Sequence, residues 1–412
     1  MNKEDSCVFV PSLGAATCVL EVPKNFQSAA ASLEPDEKIK LVVYLHKSGV
    51  ELLKAVLADP QANKICFLQW EYNREEDVNS IIPLLTNSCP ELASLKVNFE
   101  HHSSFDFVSS VLEHPSNKVK VLEMPSCIEG DIPRFFAALG QSQVSALALY
   151  YSPEVAQGLH EYLARDLLVR LRVWMKRKQV PLKMMMSLSK CTRLAKLEVL
   201  YCEFSQPTAF THLPKSITKL VLRNCTFVGG FDWSFLADSN VQDLDFLYVR
   251  GVDGRQLGGA LAVHLRAQGL DTLRLWDCRF VNETLAVVGV ELGRIKRLDF
   301  DGFLNDASIK LIALALQSPN NEMKDLALLY NDDMASSIEN HLVPALMHPN
   351  FVHLRFCTQH PRHEAATKTI QRQLRNRRAL FALLQGQQVR RKYCPLRRLP
   401  VEMLRLVGAA LL

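Results

Sequence analysis

The chain has 412 residues, 48% of them hydrophobic, and a formal net charge of +5, a composition that is ample for a large core. It lacks the basic start and apolar run of a secretory signal, and no uninterrupted apolar stretch is long enough to cross a bilayer. The eleven cysteines include no CxxC pair, so we expect no zinc site. At least four of them occupy an inward position of the repeated pattern described below, where disulfides would be out of place, so we expect a reducing compartment, the cytoplasm or the nucleus.

Residues 1–38 precede any repeated pattern. We expect them to form an N-terminal cap, because the first unit of a repetitive structure leaves an apolar edge that needs a cover. The aliphatic side chains that could supply the cover are Val8, Val10, Val19, Leu20 and Val22.

From residue 39 onward one apolar frame recurs, in which an aliphatic residue is followed three and five places later by two more. Apolar and polar residues alternate within a frame, as in VQDLDF, which predicts a strand with one buried side. We number each frame from its start as position 1, so positions 1, 4 and 6 point inward. Successive starts lie 23 to 29 residues apart, the spacing of stacked repeats. The thirteen starts are Ile39, Ile65, Leu92, Val119, Val144, Leu168, Leu194, Ile217, Val241, Leu270, Ile295, Met323 and Phe351.

Between frames the apolar residues recur every three or four places, as in LGGALAVHLRAQG, ETLAVVGVELG and ASIKLIALALQS. This spacing predicts short helices, with Gly269 and Gly293 at two of their ends. Strand, turn, helix and turn in this order predict an α/β solenoid over residues 39–360. Its shape would be a horseshoe with parallel strands on the concave face and helices on the convex face.

These residues resemble the leucine-rich repeat superfamily, within it the ribonuclease-inhibitor-like subclass. The resemblance implies Asn or Cys at position 9, with a side chain that points inward and bonds the backbone of the adjacent turn. That position holds Asn73, Cys127, Cys202, Cys225, Cys278 and Asn331. Irregular turns are expected where it holds Lys47, Glu100, Lys176, Val249, Phe303 and Gln359.

Aromatic residues are frequent at positions 7 and 8 of the frames. The inward positions already hold aliphatic residues, so we expect these rings to be exposed, as interface anchors are. Position 8 holds Tyr72, Phe99, Tyr151, Tyr201, Tyr248 and Tyr330, and position 7 holds Tyr150, Trp174 and Trp276.

Charged residues also sort along the stack. A basic half beside an acidic half would orient a partner, whereas the alternative is ordinary solvated charges that pair across strands. The basic group is Arg170, Arg172, Lys196, Lys219 and Arg223. The acidic group is Asp243, Asp245, Asp299, Asp301 and Asp325, with Arg274 and Arg297 between its members.

Residues 361–412 follow the last frame and carry the basic character of the chain. Between Ile370 and Arg398 there are nine Lys or Arg residues and no Asp or Glu, so the rest of the chain has a net charge of −4. We expect a helix over 363–391 that caps the last repeat with a solvated basic face. The alternatives are nuclear import, nucleic acid or an acidic protein partner. Few aromatic residues interleave the arginines, which makes nucleic acid a weak alternative.

The chain ends in PLRRLPVEMLRLVGAALL, which predicts a helix with one apolar side. The segment is similar to the first helix of an F-box, over about fourteen residues. The similarity implies binding of a ubiquitin-ligase adaptor, by a substrate receptor in its own cell or by an effector in a host cell. The alternative is a terminal helix that packs on the cap. The matching residues are Leu399, Pro400, Glu402, Met403, Leu404 and Val407.

No catalytic constellation emerges from the sequence. In HPRHE, Pro361 breaks the helical turn that would place His360 and His363 together on a metal. We therefore expect a monomeric, non-enzymatic recognition scaffold without cofactor or metal, which binds a protein partner on its concave face.

Overall fold

The computed structural model describes residues 8–9, 17–21, 38–45, 49–72, 78–99, 104–126, 129–205, 210, 213–302, 304–329, 334–345, 353–357, 368 and 372. These residues belong to two compact units. The N-terminal unit is Met1–Cys202 with His212–Ile217, and the C-terminal unit is Glu203–Thr211 with Thr218–Leu412. The expected terminal segments 1–38 and 361–412 lie mostly outside the described residues, so their boundaries stay predictions.

In the N-terminal unit the strands pair in the order in which they occur in the sequence. The first pair is antiparallel, and every following pair up to the eighth strand is parallel. The strands are β1 (Val8–Phe9), β2 (Thr17–Glu21), β3 (Lys38–Leu45), β4 (Ile65–Tyr72), β5 (Ser94–Phe99), β6 (Val121–Met124), β7 (Ala146–Tyr150), β8 (Arg170–Gln179) and β9 (Lys196–Phe204), of which Glu203 and Phe204 belong to the C-terminal unit.

Helices connect successive strands from β3 to β9. Two of them begin at side chains that accept a backbone N–H, Asp131 from Arg134 and Ser152 from Val155. The helices are α1 (Gly49–Leu57), α2 (Ile82–Ser88), α3 (Ser104–Glu113), α4 (Ile132–Gln141), α5 (Pro153–Leu163) and α6 (Leu182–Leu188), with 3-10 turns at Pro60–Lys64 and Val78–Ile81.

The C-terminal unit repeats the arrangement with parallel pairing from β10 through β12 to β16. Its strands are β10 (Lys219–Arg223), β11 (Thr226–Phe227), β12 (Asp243–Leu247), β13 (Leu270–Trp276), β14 (Ile295–Asp301), β15 (Asp325–Leu329) and β16 (His353–Cys357). Its helices are α7 (Gly254–Ala267), α8 (Val281–Val288), α9 (Asp306–Gln317), α10 (Ala335–Ser337) and α11 (Val343–Ala345), with 3-10 turns at Ser234–Leu236 and Gly289–Arg294 and a π-helical turn at Ile338–Leu342. None of the described helices is both long and apolar enough to pass through a bilayer.

Burial follows the repeated frame. The frame starts from Ile39 to Met323 are each at most 5% exposed, because within each unit the side chains of neighbouring strands pack against one another. The first frame is shifted by one residue, since a register irregularity after Ile39 pairs Leu41 with Leu68. With its parallel strands and helical returns, the structure confirms the predicted α/β leucine-rich-repeat architecture.

One stretch of the C-terminal unit fills its core differently. Between β9 and β12 the described residues contain a 3-10 turn in place of an α-helix, and rings occupy the space. His264 of α7 ties to this stretch, with its ring nitrogens 2.8 Å from the carbonyl oxygens of Leu236 and Val241. The packed rings are Phe204, Phe210, Phe227, Phe231 and Trp233.

Two local predictions need correction. Gly269 follows the end of α7 with φ +75° as expected, but α8 ends at Gly289 (φ +57°) rather than at Gly293, which lies in the following 3-10 turn. The turn at Val249 is regular rather than irregular. Its side chain is 1% exposed and fills the inward position as Cys225 and Cys278 do in their turns.

Candidate functional site

We call the side of each sheet that carries frame positions 3, 5 and 7 its open face. Position 8 does not belong to this face: it lies just beyond the strand at Asn224, Tyr248 and Asp277 and within β9 at Tyr201. Tyr201, Asn224, Tyr248 and Asp277 occupy position 8 with φ between +48° and +55°. This left-handed backbone rotates the side chain away from the column of the strand, at a cost of about 1 kcal/mol. The predicted aromatic column is therefore split between residues on the open face and residues at position 8.

The position 8 tyrosines do not share one environment. Tyr201 and Tyr248 are 43% and 49% exposed, as expected of contact residues. The expectation for Tyr151 is wrong, because its ring is 5% exposed and burial raises the pKa of its hydroxyl. Tyr151 lacks the left-handed turn and directly precedes Ser152, the cap of α5, so its ring packs inward. The side chains of Tyr72 and Tyr330 lie outside the described residues.

In the C-terminal unit an arginine on the open face of β13 joins the two strands beside it. Arg274 Nη1 lies 3.1 Å from Asp245 Oδ2, and its Nε lies 3.2 Å from Asp299 Oδ2. The Trp276 indole N–H donates to Asp299 Oδ1 at 2.9 Å, and the Arg274 guanidinium lies 5.3 Å from the ring centre. The tryptophan is held both by its ring face and by its N–H.

The two aspartates that contact Arg274 are buried although they lie on the open face. Asp245 and Asp299 side chains are 5% and 6% exposed. Burial raises the pKa of Asp245, which Arg274, Arg223 and Lys219 oppose. Burial also raises the pKa of Asp301, and the nearby charges of Asp299 and Asp277 add to the effect. Arg223 lies 3.8 Å from Asp245 at the edge of the cluster.

The N-terminal unit contains a second arginine and tryptophan in the same relation. Arg172 donates to both oxygens of Glu198, at 2.7 and 3.1 Å, and lies 5.6 Å from the Trp174 ring centre. Lys196 also pairs with Glu198, while Glu123 lies 3.8 Å from Arg172 on the other side. Burial disfavours ionisation of Glu198, but the hydrogen bonds from Arg172 and Lys196 outweigh it, so its pKa is lowered.

Both arginines occupy position 5 of their frames and both tryptophans position 7, in the segments LRVW and LRLW. We call each couple an Arg–Trp pair. The partner carboxylates stand at position 5 of the following strand, Glu198 on β9 and Asp299 on β14. Sequence reasoning missed Glu198 and Glu123, although their place in the same column as Asp245 and Asp299 was a usable signal.

Most of the predicted charges pair within their own unit. Lys219 lies 3.4 Å from Asp243, and Arg297 lies 3.3 Å from Asp325. The alternative interpretation, ordinary charges that pair across strands, therefore describes many of the charged residues on the open faces. An orienting role toward a partner stays a prediction. Tyr150 on β7 is half-buried and lies opposite Trp174 of β8 in the strand register, next to the Arg172–Trp174 pair.

Across the described ranges, no three His, Cys, Asp or Glu side chains gather as a metal site would require. The adaptor-binding prediction for Leu399, Pro400, Met403, Leu404 and Val407 lies outside the described residues and stays a prediction, as does the role of the basic stretch before it.

No protein-family model and no curated protein sequence matches the chain. Among solved structures, a chain in the crystal structure of the yeast Rad7 and Elc1 complex is similar, with a TM-score of 0.48 and 14% identity over 83% of this chain and 84% of that chain. A chain in the Drosophila Toll–Spätzle complex has a TM-score of 0.43 and 11% identity over 86% of this chain and 52% of its own length. The chain thus spans about half of the latter. At such identities the likeness concerns the fold alone.

Proposed function

We propose that this protein is a non-enzymatic recognition scaffold that binds a protein partner on the open faces of its sheets, with the two Arg–Trp pairs as anchors. The observation that carries the proposal is the fixing of Trp276 by Arg274 and Asp299. Trp and Arg are the residues that dominate binding energy at protein interfaces. A side chain already held in place loses less rotamer freedom when a partner arrives.

A gain in stability does not explain the charged groups around the two Arg–Trp pairs. Removing Asp245, Asp299 and Glu198 from water is costly, and apolar residues of similar volume commonly give an equally or more stable protein. A network of buried carboxylates around a partly exposed tryptophan does, however, fix the geometry of a surface. The recurrence of the network in each unit, in the same frame positions, favours recognition over a local accident of packing.

The test is affinity capture from cells of the source organism with the full chain, compared with a Trp174→Ala, Trp276→Ala double variant. We expect the variant to lose the partner and keep the thermal unfolding midpoint of the wild type within a few degrees. Val263 is exposed on α7, so a Val263→Ala variant is a control that should retain the partner. Retention of the partner by the double variant would contradict the proposal. Unfolding of the double variant would show that the rings belong to the core.

A further inference from the structure

A small notch opens on the open face of the N-terminal unit. Strand β7 carries Ala146 and Ala148 where the following strand β8 carries Arg170 and Arg172. Ala146 pairs in register with Val121 and Arg170, and Ala148 pairs with Glu123 and Arg172. Two methyl groups between longer neighbours leave a space of about 90 Å³, which Lys196 and Glu198 also line. A water molecule takes about 30 Å³ in the liquid, so the notch holds a group as large as about three waters.

The charges around the notch are unequal. Three cationic side chains line it against two carboxylates. Both carboxylates already face a cation, Glu198 through Arg172 and Lys196, and Glu123 through Arg172. Arg170 is exposed and forms no ion pair with any residue within the described ranges. One positive charge is thus left at the rim of a partly shielded space, where attraction to an anion is stronger than in bulk water.

We propose that this notch binds the carboxylate of an Asp or Glu side chain from the protein partner, with Arg170 as its counter-ion and the two alanine methyl groups as its floor. The inference rests on the proposed function, because the notch borders the Arg172–Trp174 pair. It goes further by stating the chemistry of the partner: an acidic segment at the N-terminal unit.

The probe is a fluorescein-labelled peptide of alternating Glu and Gly, titrated with the full chain at about 0.15 M ionic strength. Ala146→Leu fills the notch without changing any charge, and we expect it to weaken binding about tenfold. Thr272→Leu is the matched control, since Thr272 stands at the same frame position on β13 in the other unit, is half-buried like Ala146 and should leave binding unchanged. Arg170→Gln removes the proposed counter-ion at an exposed site, and we expect it to weaken binding as well. It therefore tests the notch even if Ala146→Leu unfolds.

A peptide with Gln in place of Glu should not bind. Equal binding of the Glu peptide to the wild type, Ala146→Leu and Arg170→Gln would overturn the proposal, because the peptide would then sit elsewhere, for example on the basic stretch Ile370–Arg398. Partner capture separates the two proposals. If Ala146→Leu retains the partner that the double Trp variant loses, the notch fails and the recognition function stands. If both retain it, both fail.

Discussion

The Arg274 guanidinium lies 5.3 Å from the centre of the Trp276 ring while it bridges two buried carboxylates on the neighbouring strands. One arginine therefore sets the position of the tryptophan and forms an ion pair with both Asp245 and Asp299, while Arg223 lies 3.8 Å from Asp245. Arg274 thus affects both the stability of the unit and the shape of its open face. Substituting Arg274 alone, or together with its two carboxylates, separates these two properties.

The first prediction uses this separation. Arg274→Met alone should lower the free energy of unfolding by about 2 to 3 kcal/mol, because buried Asp299 loses its ion pair and Asp245 keeps only the more distant Arg223 and Lys219. Arg274→Met combined with Asp245→Leu and Asp299→Leu should restore or exceed wild-type stability, because no buried charge is left. Urea denaturation measures both. A triple variant less stable than the single variant would contradict this account.

The same triple variant addresses function. We expect it to lose the captured partner although it is stable, because Trp276 is no longer fixed. Retention of the partner by a stable triple variant would show that the arginine and its carboxylates serve only the fold.

A second prediction contrasts two tyrosines that occupy position 8. Tyr248→Ala should weaken partner binding with little change in stability, because the Tyr248 ring is 49% exposed in its turn. Tyr151→Ala should lower the free energy of unfolding by about 3 kcal/mol, because a buried ring leaves a cavity. Thermal unfolding and partner capture on both variants check this. Similar stability losses for the two would show that their environments do not differ.

The sequence predicted the repeat and its core well because burial obeys a strict spacing. Leu244 and Phe246 alternate with Asp243 and Asp245, and the structure buries the first two completely. What spacing could not predict was the backbone beyond each strand. The left-handed conformation at Tyr248 and its absence at Tyr151 depend on the turn and helix cap that follow, which a count from the frame start ignores.

The clusters of the open face were only partly accessible to sequence reasoning. Arg274, Asp245 and Asp299 were each predicted as surface charges, but a count along the chain does not tell a solvated carboxylate from one that is 5% exposed. That distinction depends on which side chains face each other across strands. The missed Glu198 shows the same limit, since its pairing with Arg172 and Lys196 appears only in the contacts between and along the strands.

A third prediction concerns two adjacent glycines of α7. A Cβ at Gly258 would lie 2.8 Å from the Thr284 carbonyl oxygen and 2.8 Å from Val287 Cβ, whereas a Cβ at Gly259 would have nothing within 4 Å. Gly258→Ala should therefore lose about 1 to 3 kcal/mol by overpacking α8. Gly259→Ala should gain about 0.5 to 1 kcal/mol, because alanine favours the helix. Urea denaturation of the two single variants gives opposite signs, and equal signs would contradict the packing described.

The last prediction concerns pH and assigns opposite signs to two buried carboxylates. The pKa of Glu198 lies below its ordinary value of 4.5 in the folded protein, so its contribution to stability is present above pH 4.5 and is lost as the pH falls through the folded pKa. Burial raises the pKa of Asp245 above 3.8, so its contribution is present below pH 3.8 and is lost as the pH rises through the folded pKa.

Glu198→Gln should therefore flatten the loss of stability on the acid side of pH 4.5, the ordinary pKa of this group. Asp245→Asn should instead remove a loss that grows as the pH rises above 3.8. Urea denaturation from about pH 3 to pH 7 gives the free energy of unfolding for the wild type and each variant. Each difference from the wild type must change with pH in its own direction, because hydrogen bonds from Arg172 and Lys196 favour the charged Glu198 while burial favours the neutral Asp245. Parallel pH profiles for the two variants would show that the two carboxylates do not differ in this way.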